Sequence, residues 1–416
     1  MTMQRALLAT AILIAAGAPA VHAQADLRAI WGSGPSDIWV VGDRPVALHY
    51  DGQAWNEVPL GVPLNGANLN AVWGSGPRDI FAVGDNGTIL HYDGTRWARQ
   101  NAPTSNELVA VAGRSATEVY ALAQSTDDRM PPMLLRYDGR TWTGSLLTVP
   151  FRANGMAIAG ADVVVAGYVY QDPNPNERRQ VGVLARMSAG RWTMTGWDGR
   201  AMTDPVVGSG GWTGLSVAGT AMLLYGQRDD GTSVMALSTG GGFAALPPAA
   251  SAMTNTRIER VVLVGDATPV ALYDGPGFAR FTGGRWAAVS GMPNIQAMMM
   301  QGMMAAQQAQ QAPRGQRPSA PTPAQQQQQQ QAMAMQQMMA NPMMMAARMA
   351  AFDMSNAKAA WGVSSADFYV VTSQGRVAHI TGDDATVAYD ASCADPMSAG
   401  MNPICQMIMM NQQQHH

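Results

Sequence analysis

Trp31-Gly-Ser-Gly-Pro35 and Trp73-Gly-Ser-Gly-Pro77 are the same phrase, 42 residues apart. The text after each also repeats. The first copy continues Asp37-Ile-Trp-Val-Val-Gly-Asp43, then His49-Tyr-Asp-Gly52 and Trp55; the second continues Asp79-Ile-Phe-Ala-Val-Gly-Asp85, then His91-Tyr-Asp-Gly94 and Trp97. A tandem unit of this length cannot bury its own apolar faces and has to stack on its neighbours.

Within the second copy, four short apolar runs stand between turn residues: Leu69 to Trp73, Ile80 to Val83, Thr88 to Tyr92 and Arg96 to Arg99. Asp-Gly between the last two is read as a type I′ hairpin turn. Four antiparallel strands in a unit of about 42 residues make a β-propeller blade. Looser copies follow. The third is marked by Val109 to Gly113, Glu118 to Leu122, Arg136 to Gly139 and Trp142. The fourth runs from Gly155 to Trp192, the fifth from Gly214 to Phe243 in the Trp slot, and the sixth from Arg257 to Trp286. The seventh returns to consensus, with Trp361-Gly362, Asp367 and His379 at one constant offset from the second copy and Ala385 in the Trp slot. The fold expected is all-β: a seven-bladed β-propeller with a disordered Met/Gln-rich insert. Copies four to six are loose enough that six or eight blades also fit the spacing. No spare strand is left for a shared blade, so closure is expected to rest on packing of blade seven against blade one.

The second half of the unit, Ala-Val-Gly-Asp followed by His-Tyr-Asp-Gly-x-x-Trp, resembles a kelch repeat. Its Asp-Gly-x-x-Trp corner is similar to the Asp-box and Ycf48-type propellers of exported bacterial proteins. The resemblance covers roughly residues 27 to 390 outside the insert. It lacks the Gly-Gly pair of kelch and the Ser-x-Asp opening of the Asp-box, so it implies a fold more than a function.

The first 23 residues read as an export signal: one positive charge in Met1 to Arg5, an apolar Ala6 to Ala16, and Val21-His-Ala23 before the cleavage point. The apolar run is shorter than the roughly 20 residues a bilayer needs, and no later stretch is expected to span a membrane. Charged residues are 13% of the chain, about half the usual ~25%, and net charge is −3 without a basic stripe. Nucleic acid is therefore excluded as a partner. The two cysteines, Cys393 and Cys405, are both in the tail. In an exported chain they are expected to pair as a disulfide.

The chain divides into blades one to six (residues 24–291), an insert (292–354), blade seven (355–390) and a Met-rich tail (391–416). The insert holds 15 of the 31 methionines and the unbroken run Gln325 to Gln331. Its composition gives no polar face for a packed helix, so disorder is expected, with transient helix from Gln331 to Phe352. Strands alternate direction within a blade, so fourth-to-first and second-to-third connections emerge on one face. The insert, the tail and two long loops, Ala123 to Pro132 and Tyr168 to Gln180, are all assigned to that face. Binding concentrates on loops carried by a rigid scaffold.

His49, His91 and His379 share one repeat position, but third strands of adjacent blades lie roughly 10 Å or more apart and zinc–nitrogen bonds are about 2 Å. A structural role is expected for them. Asp37, Asp79, Glu118 and Asp367 recur once per blade and are assigned to turn backbone donors; Asp51, Asp93 and Asp138 are hairpin-turn residues. Trp55, Trp97, Trp142, Trp192 and Trp286 are assigned to packing between blades. The metal-binding candidates are the soft thioethers Met298, Met299, Met300, Met343, Met344 and Met345 with His415 and His416, a set suited to copper(I); low-complexity drift without metal is the stronger reading. No catalytic motif or cofactor fingerprint is present. The function expected is an exported, non-enzymatic, monomeric scaffold in the periplasm, on the cell surface or secreted. It binds a protein or cell-envelope partner through its loop-bearing face. Two alternatives stay open: a glycan-binding or sialidase-like propeller, and a copper-handling protein.

Overall fold

The second run of each repeat is rich in Val, Ile, Leu and aromatic residues, which favour a pleated and buried strand. In the computed structural model these runs are the second strands of seven four-stranded antiparallel sheets, each with its strands in sequence order. The structure describes residues 26–43, 46–125, 130–174, 177–249, 258–289, 349–351, 353–394, 402, 404–406 and 408–409. Blade one comprises Leu27–Gly34, Asp37–Gly42, Ala47–Tyr50 and Trp55–Glu57. Blades two to seven occupy residues 69–100, 108–146, 152–196, 211–245, 258–289 and 357–390. The seven-bladed propeller expected from the repeats is the fold.

Side-chain alternation along a strand decides which neighbour each residue meets. In blade one Trp39 and Val41 enter the apolar cluster shared with blade two, while Ile38 and Val40 enter the cluster shared with blade seven. In blade two Ile80 and Ala82 face blade one, and Phe81 and Val83 face blade three. Seven clusters result, each lying between two adjacent blades. The last, between blades seven and one, closes the ring without a shared strand. Each Leu, Ile, Val or Phe fully buried there contributes about 1.5–3 kcal/mol.

The fourth-strand Trp slot serves the same seams. Trp55, Trp97, Trp142, Trp192, Phe243, Trp286 and Ala385 each pack into the cluster shared with the preceding blade. The expected packing role of these residues holds around the ring. The Trp-Gly pair of the innermost strand has a second use. A Cβ on Gly74 would lie 2.8 Å from the Trp31 ring, and one on Gly113 would lie 2.6 Å from the Trp73 ring. A Cβ on Gly32 would meet Trp361 at 2.8 Å, so the same contact closes the circle.

Several expectations need correction. Asp-Gly does not form a two-residue turn. Residues 51–54 are a four-residue loop between paired Tyr50 and Trp55, with Gly52 at φ 92°, and Gly94 and Gly139 repeat it at 91° and 94°. Among the described residues, the two-residue hairpin turns with positive φ at both positions are Ala189-Gly190 (49°, 78°) and Gly283-Gly284 (59°, 79°). Tyr168 to Gln180 is not a loop. The strands Asp162–Asn174 and Glu177–Ser188 run on past the rest of blade four as a two-stranded ribbon. Loop Ala123 to Pro132 is described only at its ends.

The end of the insert is ordered: Met354 is fully buried and, with Ala351, joins the cluster of blades six and seven. The tail does not stay on the loop-bearing face. Its Ile408 lines a groove together with Gln53, Ala54 and Trp55 of blade one. The export signal, most of the insert, Met298, Met299, Met300, Met343, Met344, Met345, His415 and His416 lie outside the described residues. Among those described, no helix is long and apolar enough to cross a membrane.

Gly74→Ala tests the Trp-on-Gly contact. Its methyl group would meet Trp31, Ile80 and the Asp79 carbonyl oxygen, all within 2.8 Å. Overpacking of this kind costs about 1–3 kcal/mol, read as a lower urea midpoint at unchanged slope. An unshifted midpoint would mean the inner strands are not in close contact.

Candidate functional site

The two faces of the ring carry different chemistry. On the short-turn face, His49 Nε2 donates to Asp37 Oδ1 (2.7 Å), His91 to Asp79 (2.6 Å) and His379 to Asp367 (2.8 Å). The other oxygen of Asp37 and of Asp79 accepts from Ser33 and Ser75 respectively. The aspartates thus bind side chains of their own blade more than turn amides, which corrects their assigned role. Each imidazole stacks on the second-strand aromatic of its blade. His49 lies 4.4 Å from Trp39, His91 4.3 Å from Phe81, and His379 4.1 Å from Tyr369, with planes within 21°. The next blade covers the other side of that ring: Trp97 on Trp39 (5.6 Å), Trp142 on Phe81 (6.1 Å) and Trp55 on Tyr369 (6.1 Å). The three histidines therefore engage their own blades and do not converge.

In blades three, four and six arginine (Arg136, Arg186 and Arg280) takes the histidine position. Arg186 pairs with Asp162 at 2.9 Å. Arg280 reaches into blade seven, donating to the Ser365 carbonyl oxygen and to Asp383, both at 2.5 Å. Asp51 and Asp138 each accept the amides two and three residues on, as turn residues should. The Thr95 hydroxyl, with the Arg96 and Thr95 amides, draws the exposed Asp93 carboxyl down to about 2.

The loop-bearing face has a ring that the sequence does not announce. Each innermost strand departs from regular register at its start. The residues left unpaired at these bulges are Arg28, Asn70, Val109, Asn154, Thr213, Glu259 and Lys358. A bulge re-aims its side chain. Arg28, ion-paired with Asp43, donates to Asn70 Oδ1 at 2.6 Å. Asn70 Nδ2 in turn reaches Asp85 Oδ1 (3.1 Å), Glu107 Oε1 (3.3 Å) and the Leu108 carbonyl oxygen (3.2 Å). Asn154 Nδ2 donates to the Trp212 carbonyl oxygen at 2.8 Å and accepts from Gln124 at 3.4 Å. Polar contacts on this face thus link blade one to blade three and blade three to blade five.

Beside it, a cleft of 210 Å³ opens between blades five and six, lined by Thr213, Tyr225, Gln227, Ser233, Glu259 and Arg260. The Arg260 guanidinium sits 5.8 Å from the centre of the Tyr225 ring. The blade-four ribbon touches blade five at Asp229, between its second and third strands. Gln180 N–H donates to Asp229 Oδ1 at 3.0 Å, and Tyr168 and Tyr170 stack edge to face at 5.3 Å. Arg28, Asn70, Asn154 and Glu259 escape a sequence reading because they share a bulge position and not a chemistry. The available signal was a polar residue beside the first apolar residue of every inner run except that of blade three, where Val109 stands.

These features define a seven-bladed β-propeller that closes by packing, with stability concentrated on one face and variable polar side chains on the other. No family model matches the sequence, and no curated protein does. Among solved structures, the chain is similar to YCF48 from Cyanidioschyzon merolae, with TM-score 0.52, 12% identity, and 86% of this chain and 96% of that chain covered. It is also similar to YCF48 bound to D1 peptide, with TM-score 0.51, 9% identity, and 86% and 94% covered. The WD40 β-propeller domain of Doa1 aligns less well, with TM-score 0.48, 8% identity, and 85% and 91% covered. At these identities the likeness concerns the fold.

Burial pushes the Asp79 carboxyl up, but the hydrogen bonds from His91 and Ser75 outweigh it and hold the group below its ordinary range. A depressed carboxylate contributes stability above its unfolded pKa of about 4 and loses it as pH falls through the folded value. The stability gap between the native protein and Asp79→Asn should therefore narrow from pH 6 to pH 3 in paired urea titrations. A gap that stays constant would show that the Asp79 charge adds nothing.

Proposed function

We propose that the protein is an exported, non-enzymatic propeller that holds a protein or cell-envelope partner on its loop-bearing face, with a kelch- or Asp-box-like repeat as its scaffold. The observation that carries this reading is the asymmetry of the disc. The short-turn face spends its polar groups on internal Asp–His, Arg–Asp and Asx contacts. The loop-bearing face presents the polar rim of Arg28, Asn70 and Asn154, the ribbon of blade four and the cleft at Arg260. A ring of mixed donors and acceptors around a rigid mouth suits main-chain amides and polar side chains of an extended polypeptide. One of the structurally similar propellers, YCF48, is bound to D1 peptide. The Cys393–Cys405 disulfide supports an oxidising compartment.

The test is a quantitative pull-down from an envelope extract. Two variants alter the loop-bearing face: Arg28→Ala with Asn70→Ala, and a ribbon cut back to the Tyr168/Gly182 pair. Arg78→Ala with Arg96→Ala alters the opposite face. Capture should fall about tenfold or more, ~1.4 kcal/mol, in the first two and stay at the native level in the third, with melting temperatures alike. Equal capture by all three, or loss confined to the third, would refute the assignment.

A further inference from the structure

The rim of blade seven gathers segments that the repeat does not explain. Ala350, Ala351 and Met354 come from the end of the insert, and Ile404 and Ile408 from the tail; all pack on the cluster between blades six and seven. A polar chain ties the two segments together. Arg376 donates to the Ala350 carbonyl oxygen (3.3 Å) and to Asp390 Oδ2 (3.1 Å), whose side chain is 1% exposed. Asp390 Oδ1 accepts from the Ser392 amide (2.9 Å) and hydroxyl (2.6 Å). Asn402 donates to the Ser392 hydroxyl (3.3 Å) and accepts the Ile404 amide (2.9 Å). Cys393 and Cys405 are joined across this turn, and Cys405 is 1% exposed.

Beyond the disulfide the tail reaches the seam where the ring closes. Ile408 lines the groove between blades seven and one with Gln53, Ala54 and Trp55 on one side and Tyr369 and Val387 on the other. This seam has to hold without a strand exchanged between the first and last blades. Its direct contacts include the apolar cluster of Leu27, Ile38, Val40, Val371 and Val377, Trp361 on Gly32, and Trp55 and Tyr50 on Tyr369.

We propose that the C-terminal segment is a disulfide-locked clasp for ring closure. Cys393–Cys405 holds Ile404 and Ile408 on the rim, so the tail bridges blade seven to blade one in place of a shared strand. A dithiol reductant would undo the clasp. It gives two electrons and two protons to the S–S bond, becomes a disulfide itself and leaves two cysteine thiols. The released tail then leaves the Trp55/Tyr369 groove uncovered. Cys405 is buried and Cys393 half-buried, so attack by the dithiol falls on Cys393.

Native-state hydrogen exchange on the full chain tests this. In the dithiol-treated protein and in Cys393→Ser/Cys405→Ser, amides of Leu27–Gly34, Ala357–Ser364 and Asp384–Asp390 should exchange at least tenfold faster. Amides of blade three, residues 108–146, should keep their rates. Ile408→Asp, with the disulfide intact, separates tail packing from the covalent link and should speed the same strands. Unchanged exchange at the seam, or equal acceleration in all seven blades, would overturn the proposal. If the cysteine variant does not fold, Ile408→Asp alone decides between the same two outcomes.

Discussion

An aromatic ring held between two blades is the contact on which the ring's regular seams depend. Trp39, Phe81 and Tyr369 sit near the middle of their second strands, at most 5% exposed. Their own histidine stacks on one side, and the next blade supplies a tyrosine and a tryptophan to the other. This is why His-Tyr-Asp-Gly-x-x-Trp repeats as a block. Each letter either touches the aromatic ring or builds the four-residue loop that aims the Trp. The arrangement has a cost. The indole N–H groups of Trp39 and Trp97 are buried with no acceptor among the described residues, a desolvation penalty of about 1–3 kcal/mol each. Apolar burial and ring packing have to exceed that penalty.

The ring needs this contact in only some of its seams. Blades four and six replace the aromatic with Val164 and Val270 and the histidine with Arg186 and Arg280. Arg280 locks onto the carbonyl and carboxylate groups of blade seven, so a charge-assisted contact takes over from stacking. Blade seven returns to the consensus, because its Tyr369 has to receive Trp55 of blade one. Consensus blades one, two and seven are neighbours in the closed ring, and the degenerate blades occupy the opposite side. The division between the faces follows from the same economy of contacts. Short turns are fixed by these internal hydrogen bonds, whereas connections on the other face are free to lengthen.

Much of this was legible from Trp31-Gly and Trp73-Gly onward, because burial on both sides of a strand leaves a long apolar run and the spacing fixes the unit. The fourth-strand slot was also legible through Trp97 and Trp142, even where Phe243 or Ala385 fills it. What could not be read depends on partners distant in sequence. Asp37 looked like a turn residue until His49 and Ser33 were seen to share its carboxylate. Tyr168 to Gln180 looked like a loop because its strands pair only with each other. Ala189-Gly190 forms the turn that Asp-Gly was expected to form, since the Asp51 side chain closes a larger loop by accepting two amides. The path of Ile408 is set by a groove that exists only once blades seven and one have met. The Cys393–Cys405 pair was the exception, since two cysteines allow one bond.

The regular seams require the aromatic ring of one blade to be coupled to the tryptophan of the next, the closing pair included. A double-mutant cycle on Tyr369→Leu and Trp55→Leu, residues from the last blade and the first, measures it most directly. A coupling energy of about 0.5–1.5 kcal/mol, matching the Phe81/Trp142 cycle within the chain, is the predicted result. Additive effects at Tyr369 and Trp55 beside clear coupling at Phe81 and Trp142 would mean that the ring does not close as described.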